Sequence, residues 1–267
     1  MPEPAGVSVV ITTLNEEVNV EQAVRSARLL TDDILVLDSG STDRTVALAE
    51  ALGARVMVRP FDDMACQRNA ALRSGGLTGP YALFLDADEQ VTAPFAEALR
   101  RLLASDPEID GVRVCRAFHF WGRRVRSSSR FPRYIDRVVR VGAVTFRKEG
   151  HGEAFDGGRK HVRLEVPLHD EDRKGLASLV DRQNRYARME AAEDLRILAG
   201  DSRPGWPRRL RAHLRRLPGW PTAVLLYYLT LRGGMFEGAA GRTYGRVRAL
   251  YEQLVQLHRR DLRRGGA

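Results

Sequence analysis

The sequence predicts an α/β fold that has a mainly parallel, Rossmann-like sheet with helices on both faces and a helical, Arg-rich C-terminal extension. Short apolar runs alternate with helical patterns as far as Leu103, and this rhythm changes after Gly111. Arginine then accumulates beyond residue 200. Strands that alternate with helices are typical of parallel, doubly wound sheets.

Four strand and helix pairs are expected in the N-terminal part. Apolar, β-branched runs between polar flanks are typical of strands that are covered on both faces. They predict strands at 7–12, 34–37, 55–58 and 81–85. Apolar residues at helical spacing predict helices at 19–29, 44–52, 67–74 and 92–103. Gly53 ends the second helix, whereas Thr92, with Pro94 in the first turn, begins the fourth.

The later part of the chain predicts short strands and then helices. Strands are expected at 112–120, 137–141, 145–146 and 162–166, with an Arg- and Ser-rich loop at 122–133 that is long enough to be functional. A long helix is predicted at 175–198 and a last helix at about 241–262. Between them, four prolines break the chain into short pieces: Pro204, Pro207, Pro218 and Pro221.

Composition is that of a globular protein. The chain has 267 residues, of which 43% are hydrophobic and 29% charged, so a sizeable core is possible and global disorder is excluded. Cys66 and Cys115 do not form a disulfide framework or a Cys-based zinc site, which favours a reducing compartment. Residues 1–6 lack the features of a signal peptide, so a cytoplasmic location is expected.

Charge is unevenly distributed. Residues 1–110 carry 9 basic and 18 acidic side chains, whereas the rest of the chain carries 34 basic and 16 acidic ones. Only 3 of the basic residues are lysines. An acidic half beside an Arg-rich half suggests a metal or polar-ligand site first and an anionic partner surface second.

Asp86 and Asp88 follow the predicted strand at 81–85. Residues two apart in an extended chain point to one side, so the two carboxylates can share one cation. Ligands of open α/β sheets bind outside the carboxyl ends of the strands, and Mg²⁺ or Mn²⁺ prefers oxygen ligands. The alternative is that these acids cap the next helix, although Thr92 is better placed for that role.

Two further strand ends carry polar groups. Asp38 ends the second strand, and its carboxylate could accept from a base NH or a ribose hydroxyl; residues 39–43 form a polar turn that turn and cap chemistry explain by itself. Thr12, Thr13, Asn15 and Glu16 follow the first strand and could contact the same ligand. Asn15 and Glu16 could equally start the first helix.

These motifs, in this order and spacing, resemble glycosyltransferase family 2, whose GT-A fold binds nucleotide-diphospho-sugars. The matching segments are residues 12–16 (Thr-Thr-Leu-Asn-Glu), 38–43 (Asp-Ser-Gly-Ser-Thr-Asp), 67–70 (Gln-Arg-Asn-Ala) and 86–89 (Asp-Ala-Asp-Glu). Later segments are similar to the bacterial branch that builds lipopolysaccharide core: residues 132–140 with Arg137, His169 followed by residues 184–186 (Asn-Arg-Tyr), and the glycine-rich tail at 233–241.

The resemblance implies an inverting, divalent-metal-dependent hexosyltransferase. It implies that Asp88, together with Asp86, binds Mg²⁺ or Mn²⁺ and that Glu153 is the general base, with His151 as the second candidate. The family usually has His-Glu adjacent, whereas Gly152 separates the two residues here, so they could instead bind only backbone or the Arg-rich segment.

The resemblance also implies substrate contacts and functional segments. Thr12, Glu16 and Asp38 would hold the nucleoside, and Thr13 and Asn15 would also bind substrate. Further candidate substrate-binding residues are Arg68, Asn69, Asp86, Arg137 and His169. Arg68 would meet phosphate or ribose, and His169 could bind the diphosphate or be a packed histidine. We expect residues 1–111 to bind the nucleotide sugar, 112–200 to bind the acceptor and catalyse, and 201–267 to form an Arg-rich amphipathic extension.

Two basic regions predict anionic partners. The loop arginines suit a phosphorylated, cell-envelope glycan or glycolipid acceptor, or they are simply solvated: Arg123, Arg124, Arg126, Arg130 and Arg133. Residues 203–216 hold six arginines and precede Trp220 and the apolar run 223–231. This pattern predicts peripheral binding to the anionic cytoplasmic face of the inner membrane, or else a buried apolar segment with ordinary surface arginines. The run is too short to span a bilayer.

Two rival functions differ in class. A Rossmann oxidoreductase is disfavoured, because no Gly-any-Gly-any-any-Gly motif follows the first strand. The alternative to a transferase is a non-catalytic binder of anionic polymer or a membrane surface on a relic transferase fold. The acidic residues at the strand ends argue against it, and no nucleic-acid partner is expected.

Overall fold

The computed structural model describes residues 6–128, 134–149, 152–202 and 204–265. The chain forms two compact units, one made of residues 1–119 and 130–173 and the other of residues 120–129 and 174–267. The division into compact units does not show which residues bind the donor or the acceptor. The assignment of residues 1–111, 112–200 and 201–267 to different functions therefore stays a prediction. His151, Arg130 and Arg133 lie outside the described residues.

The secondary-structure elements follow the predicted order. They are β1 (Val7–Thr13), α1 (Val20–Ala27), β2 (Ile34–Asp38), α2 (Thr45–Ala51), β3 (Arg55–Val58), α3 (Met64–Ser74), β4 (Tyr81–Asp86), β5 (Glu89–Gln90), α4 (Ala93–Ser105), β6 (Gly111–Phe120), β7 (Arg123–Arg124), β8 (Tyr134–Arg140), β9 (Val144–Glu149), β10 (Gly152–Gly157), β11 (His161–Asp170), α5 (Gly175–Ala199), α6 (Trp206–Leu214), α7 (Trp220–Leu229), a 3-10 helix (Gly234–Phe236) and α8 (Gly238–Arg263).

The first unit is built on a mixed sheet in the order β3-β2-β1-β4-β8-β6-β11-β5. The pairs β3–β2, β2–β1, β1–β4 and β6–β11 are parallel. The strand β8 runs antiparallel to both β4 and β6, and β5 runs antiparallel to β11. A separate antiparallel hairpin consists of β9 and β10. The α/β fold class predicted from the sequence is therefore confirmed.

Apolar residues cover both faces of the central strands. On one face, Ile11 and Leu85 pack with residues of α1 and α4, such as Val24 and Leu99. On the other face, Val10, Leu37 and Phe84 belong to a second buried cluster with residues of α3 and the β9–β10 hairpin. Burial on both faces explains why β1, β2 and β4 read as continuous apolar runs instead of alternating ones.

Helix α3 begins three residues before its predicted start. The side chain of Asp63 accepts a hydrogen bond from the Cys66 amide at 2.8 Å and thereby caps the helix at Met64. The prediction placed the start at Gln67, because the segment before it has no apolar periodicity. The predicted cap of α4 is confirmed, since Thr92 Oγ1 accepts from the Phe95 amide.

The second unit is mainly helical and has a charged centre. Helices α5 and α8 pack through Ala187, Ala191 and Val255. The buried guanidinium of Arg215 lies between acidic side chains of α5 and α8: Glu190 at 2.7 Å, Asp194 at 3.2 Å and Glu252 at 2.7 Å. Glu252 also accepts from Trp220 Nε1 at 2.9 Å, so one carboxylate holds the end of α6 and the start of α7. Arg215 therefore belongs to the interior, although the sequence placed it in the basic surface segment.

The glycine-rich tail at 233–241 fastens the Arg-rich loop. Glu237 Oε1 accepts from the Arg126 amide at 2.7 Å, and Glu237 Oε2 accepts from Ser127 Oγ at 2.6 Å. Arg232 Nη2 donates to the Ser128 carbonyl at 2.8 Å. A Cβ at Gly241 would lie 2.4 Å from the Gly234 carbonyl, so only glycine allows the tail to fold back so tightly. None of the described helices is both long and apolar enough to cross a membrane.

We expect Glu237→Ala to speed the hydrogen exchange of the Arg126 and Ser127 amides by roughly 10- to 100-fold, because it removes hydrogen bonds to an ionised carboxylate that are each worth about 1.5–3 kcal/mol. Exchange mass spectrometry measures this, and the amides of β1 serve as the internal control. Glu237→Asp keeps the acceptor and should restore part of the protection. Unchanged exchange in Glu237→Ala would show that the loop is held by other contacts.

Candidate functional site

The carboxyl ends of β1, β2 and β4 meet at one edge of the sheet. The strand register places Thr13 beside Asp38 and Thr12 beside Asp86. Thr12 Oγ1 lies 3.4 Å from Asp86 Oδ1, and Thr13 Oγ1 donates to Asp38 Oδ1 at 2.8 Å. The two predicted acidic strand ends therefore lie on either side of β1, at the edge where open α/β sheets bind their ligands.

Asp38 organises the turn that follows β2. Its buried carboxylate accepts from the amides of Gly40 and Ser41 at 2.9 and 2.7 Å, in addition to the hydroxyls of Ser41 and Thr13. Burial raises the pKa of Asp38, but these hydrogen bonds outweigh it, so the pKa lies below its usual value. This supplies the structural role that the sequence did not reveal.

The turns after β1 and β2 are tied together. Asn15, in a left-handed conformation at φ 53°, accepts from the Thr42 amide at 2.8 Å, and its own amide donates to Ser41 Oγ at 2.8 Å. The Glu16 amide donates to Thr45 Oγ1 at 2.7 Å, and its carboxylate accepts from Asn19 Nδ2. These contacts make a rigid polar rim at the sheet edge.

A cluster of three arginines and three acids, which we call the ion cluster, lies beside this rim. Its members are Arg68, Arg116, Arg137, Asp86, Glu89 and Glu153. Asp86 Oδ2 lies 2.5 Å from Arg137 Nη2, and Asp86 Oδ1 lies 3.3 Å from Arg68 Nη2. Burial raises the pKa of Asp86, but Arg137 and Arg68 outweigh it and hold the pKa well below its usual value. Asp86 is therefore an ionised carboxylate whose charge is balanced by arginines.

Glu89 is the most deeply buried acid of the ion cluster. It is completely buried, and its Oε1 lies 2.8 Å from Arg137 Nη2 and 3.0 Å from Arg116 Nη1. Its Oε2 accepts from the Asp86 amide at 3.0 Å. Glu89 thus fixes the turn between Asp86 and Asp88 as well as two of the arginines.

Arg68 and Arg137 hold Glu153. Arg68 is fully buried, and its guanidinium lies 5.5 Å from the ring centroid of Phe84 and 5.3 Å from that of Phe146. Burial together with the charge of Arg137 lowers the pKa of Arg68 to about 10. Its Nη1 pairs with Glu153 Oε1, and Arg137 Nη1 lies 3.7 Å from the same oxygen. The Nε atoms of both arginines are buried, and neither has a hydrogen-bond partner among the residues that the structure describes. Both guanidinium groups therefore keep unused donor capacity beside the sheet edge.

Asp88 has the opposite environment to Asp86. Burial and the negative charges of Asp170, Asp86 and Glu89 raise the pKa of Asp88 well above its usual value. A divalent cation would relieve this repulsion, and carboxylate oxygens are the ligands that Mg²⁺ and Mn²⁺ prefer. The donor set thus fits such an ion, with Asp88 the better ligand, because Asp86 is already paired with arginine.

No preformed three-ligand cage surrounds Asp88 among the residues that the structure describes. In these described residues, the group of three possible metal-ligand side chains whose ligand atoms all lie within 4.8 Å of one another is Asp62, Asp63 and Cys66, at the start of α3. Asp62 is paired with Arg59 at 2.6 Å. A cation at Asp88 would therefore complete its shell with water or ligand oxygens, as Mg²⁺ commonly does beside phosphates.

Two predicted ligand-binding residues are engaged within the protein. Asn69 Nδ2 donates to the Phe146 carbonyl at 2.7 Å, and the Phe146 amide donates to Asn69 Oδ1 at 2.8 Å, which ties α3 to β9. His169 stacks on His119, with ring centroids 3.5 Å apart. Its buried Nε2 lies 3.5 Å from Glu171 Oε2 without making a hydrogen bond. The sequence left two roles open for His169, packing and diphosphate binding. The stacking shows that the ring is packed against His119, and diphosphate binding stays a prediction.

The sequence reasoning missed Glu89, Arg116 and Asp170 as members of this site. Arg116 Nη1 lies 3.7 Å from Asp170 Oδ2 and 3.8 Å from Asp86 Oδ2. The available signal was a pair of arginines, Arg113 and Arg116, within a strand whose other residues are mostly apolar. Such a residue is seldom buried unless it is paired, but the sequence does not identify the partner.

Comparison with known proteins gives consistent matches. Residues 8–157 match the family model described as glycosyl transferase family 2. An uncharacterised glycosyltransferase of Rickettsia conorii is 35% identical over 99 residues, which are 37% of this chain and 34% of that protein. A lipopolysaccharide core biosynthesis glycosyltransferase of Rhizobium meliloti is 28% identical over 70% of this chain and 71% of that protein.

A solved structure also resembles the chain. It is a mannosyltransferase from Pyrobaculum calidifontis in complex with GDP-Man and Mn²⁺, with a TM-score of 0.49 and 16% sequence identity. The likeness covers 95% of this chain and 86% of that one.

Glu89→Gln should lower the free energy of unfolding by about 3–5 kcal/mol, because it leaves buried arginine charge without its counter-charge. Urea denaturation measures this. Glu97→Gln is the matched control, since Glu97 forms an exposed helical pair with Arg101 and should change stability by less than about 0.5 kcal/mol. Equal, small effects of both substitutions would contradict a buried, mutually dependent ion cluster.

Proposed function

The chain belongs to glycosyl transferase family 2, and on that premise we propose that it moves a sugar from a nucleoside-diphosphate donor to a hydroxyl of a cell-envelope glycan, such as lipopolysaccharide core, with inversion at the anomeric carbon. The observation that carries this proposal is the contrast between Asp86, which is neutralised by arginines, and Asp88, which is surrounded by acids. The relative from Rhizobium meliloti supports the acceptor class.

The donor would bind across the carboxyl ends of β1, β2 and β4. Thr12, Thr13, Asn15, Glu16 and Asp38 lie there, so they would contact the nucleoside or shape the rim that does. Asp38 accepts hydrogen bonds from amides of its own turn. It would therefore contribute to nucleoside binding through the backbone that it positions. Asn69 would act in the same indirect way, by holding β9.

The leaving diphosphate needs positive charge, and the site offers two sources. Asp88, with Asp86 beside it, would hold Mg²⁺ or Mn²⁺, and such an ion supplies Lewis-acid stabilisation of charge that develops on phosphate oxygens. Arg68 and Arg137 supply fixed positive charge with unsatisfied Nε donors. His169 would approach the diphosphate from β11.

Glu153 would act as the general base. The acceptor hydroxyl gives its proton to the carboxylate while its oxygen bonds to the anomeric carbon, and the bond from that carbon to the diphosphate oxygen breaks, releasing the nucleoside diphosphate. Both ion pairs of Glu153 use Oε1, so Arg68 and Arg137 orient the carboxylate. His151 is the second candidate for this role.

The acceptor would be recognised through charge. Arg123, Arg124 and Arg126 are exposed on the loop that Glu237 and Arg232 fasten, and guanidinium groups suit phosphorylated sugars. A glycolipid acceptor would place the chain at the cytoplasmic face of the inner membrane as a peripheral protein.

We expect one nucleoside diphosphate, or its sugar, to bind with a clear dependence on Mn²⁺ or Mg²⁺. Asp88→Asn should remove that dependence, because it removes the carboxylate that would bind the metal. Isothermal calorimetry with a panel of nucleoside diphosphates measures both. Asp62→Asn, in the acidic group at the start of α3, is the matched control and should bind like the unmodified protein. Absence of binding under every metal condition would overturn the transferase proposal and favour the non-catalytic binder on a relic transferase fold.

Glu153→Gln should lower kcat by about 10²–10⁴-fold, since general-base catalysis is lost, and leave donor affinity nearly unchanged. Turnover with the donor identified by calorimetry measures kcat, and calorimetry measures the affinity. Glu149→Gln changes an exposed carboxylate of the same β9–β10 hairpin and serves as the control. A Glu153→Gln variant with unchanged kcat would shift the base assignment to His151.

A further inference from the structure

The second unit carries a long segment without any acidic residue. From Ser202 to Phe236 the sequence contains neither Asp nor Glu, and it includes α6, α7 and the 3-10 helix. Within it, the stretch from Leu217 to Leu231 has no charged side chain. Any partner of this segment therefore meets only apolar, uncharged polar or basic groups.

Helix α7 is apolar all round but is left largely uncovered. Its inner side packs on α8, where Tyr228 and Leu229 lie against Gly245, and Tyr228 is its only buried residue. Its outer side, at the spacing of one helical face, includes the exposed Ala223, Leu226 and Tyr227. A helix that is apolar on every side is typically buried. In the part of the chain that the structure describes, the outer side of this helix stays exposed.

The chain after α7 adds the most exposed apolar side chains. Leu231 is 81% exposed and Phe236 is 85% exposed, with the exposed Met235 between them. The 3-10 helix that carries Met235 and Phe236 packs against both α7 and α8, so these side chains stand on fixed backbone. We call Leu226, Tyr227, Leu231, Met235 and Phe236 the apolar surface.

Helix α6 supplies positive charge and an interfacial tryptophan. Arg208, Arg209 and Arg211 are exposed, and so is Trp206, at 74%. Leu210 lies four residues after Trp206 and therefore on the same helical face. Because Glu252 binds both Arg215 and Trp220, the end of α6 and the start of α7 are fixed to one point.

We propose that the apolar surface inserts into the interfacial layer of an anionic lipid bilayer, with Leu231 and Phe236 as the deepest side chains and the α6 arginines on the lipid headgroups. A segment that offers exposed apolar and aromatic residues together with exposed arginines suits the two layers of such a membrane face, which are the acyl chains and the negative headgroups. A second copy of the chain is a poorer occupant, because a symmetric contact would bring the same arginines together.

The test is co-sedimentation of the full-length chain with vesicles of phosphatidylcholine alone and of phosphatidylcholine mixed with phosphatidylglycerol. We expect binding to the mixed vesicles that weakens with salt. The double variant Leu231→Ser with Phe236→Ser should reduce the partition coefficient at least about tenfold, because it removes the two apolar side chains that would enter the bilayer most deeply. The triple variant of Arg208, Arg209 and Arg211 to Gln should lose the preference for phosphatidylglycerol.

Phe61→Ser is the matched control, since Phe61 is an exposed phenylalanine of the first unit, and it should bind vesicles like the unmodified protein. Near-ultraviolet circular dichroism checks that every variant is folded. Equal binding by the double variant and the control would overturn the proposal, as would failure of the unmodified chain to bind mixed vesicles. A concentration-dependent dimer that the double variant abolishes, without vesicle binding, would instead identify a second copy as the occupant. The vesicle readout needs no turnover, so its result is independent of the transferase proposal.

Discussion

Buried charge is the constraint on which the first unit depends. The ion cluster takes its six members from six different elements: Arg68 from α3, Asp86 from β4, Glu89 from β5, Arg116 from β6, Arg137 from β8 and Glu153 from β10. A buried ion is tolerated only when its counter-ions are correctly placed, because desolvation costs several kcal/mol per ion. The elements that converge at the carboxyl edge of the sheet are thus held to one geometry by the charges they bring.

The same buried charges act in opposite ways on two neighbouring aspartates, Asp86 and Asp88. Asp86 is compensated by Arg137 and Arg68, so its negative charge is used within the protein. Burial and the acidic neighbours Asp170, Asp86 and Glu89 raise the pKa of Asp88, so a cation bound there would relieve the repulsion between these charges. Two carboxylates two residues apart therefore have pKa values shifted in opposite directions, because their environments differ.

The second unit uses buried charge for another purpose. Arg215 and Glu252 lie in its interior and fix α6 and α7, while Glu237 and Arg232 fasten the arginine-bearing loop. Internal pairing therefore withdraws Arg215 from the surface and leaves Arg208, Arg209 and Arg211 exposed. Rigid attachment of the exposed arginines and apolar side chains lets them present a fixed pattern to a partner, at a smaller entropic cost than a mobile segment would incur.

The sequence by itself determined most of the strands and helices and their order, the cap at Thr92, and the position of Asp38, Asp86 and Asp88 at strand ends, because these depend on local periodicity and turn chemistry. It also carried the motifs of the family. It did not predict the short strands β5, β7 and β10. Only the tertiary structure decided that Asp38 and Asn69 serve the backbone, that Arg215 is internal, and that Glu89, Arg116 and Asp170 join the site. Apart from the turn around Asp38, those roles depend on partners between 27 and 77 residues away along the chain, or on burial. Neither distant pairing nor burial is encoded in a local pattern.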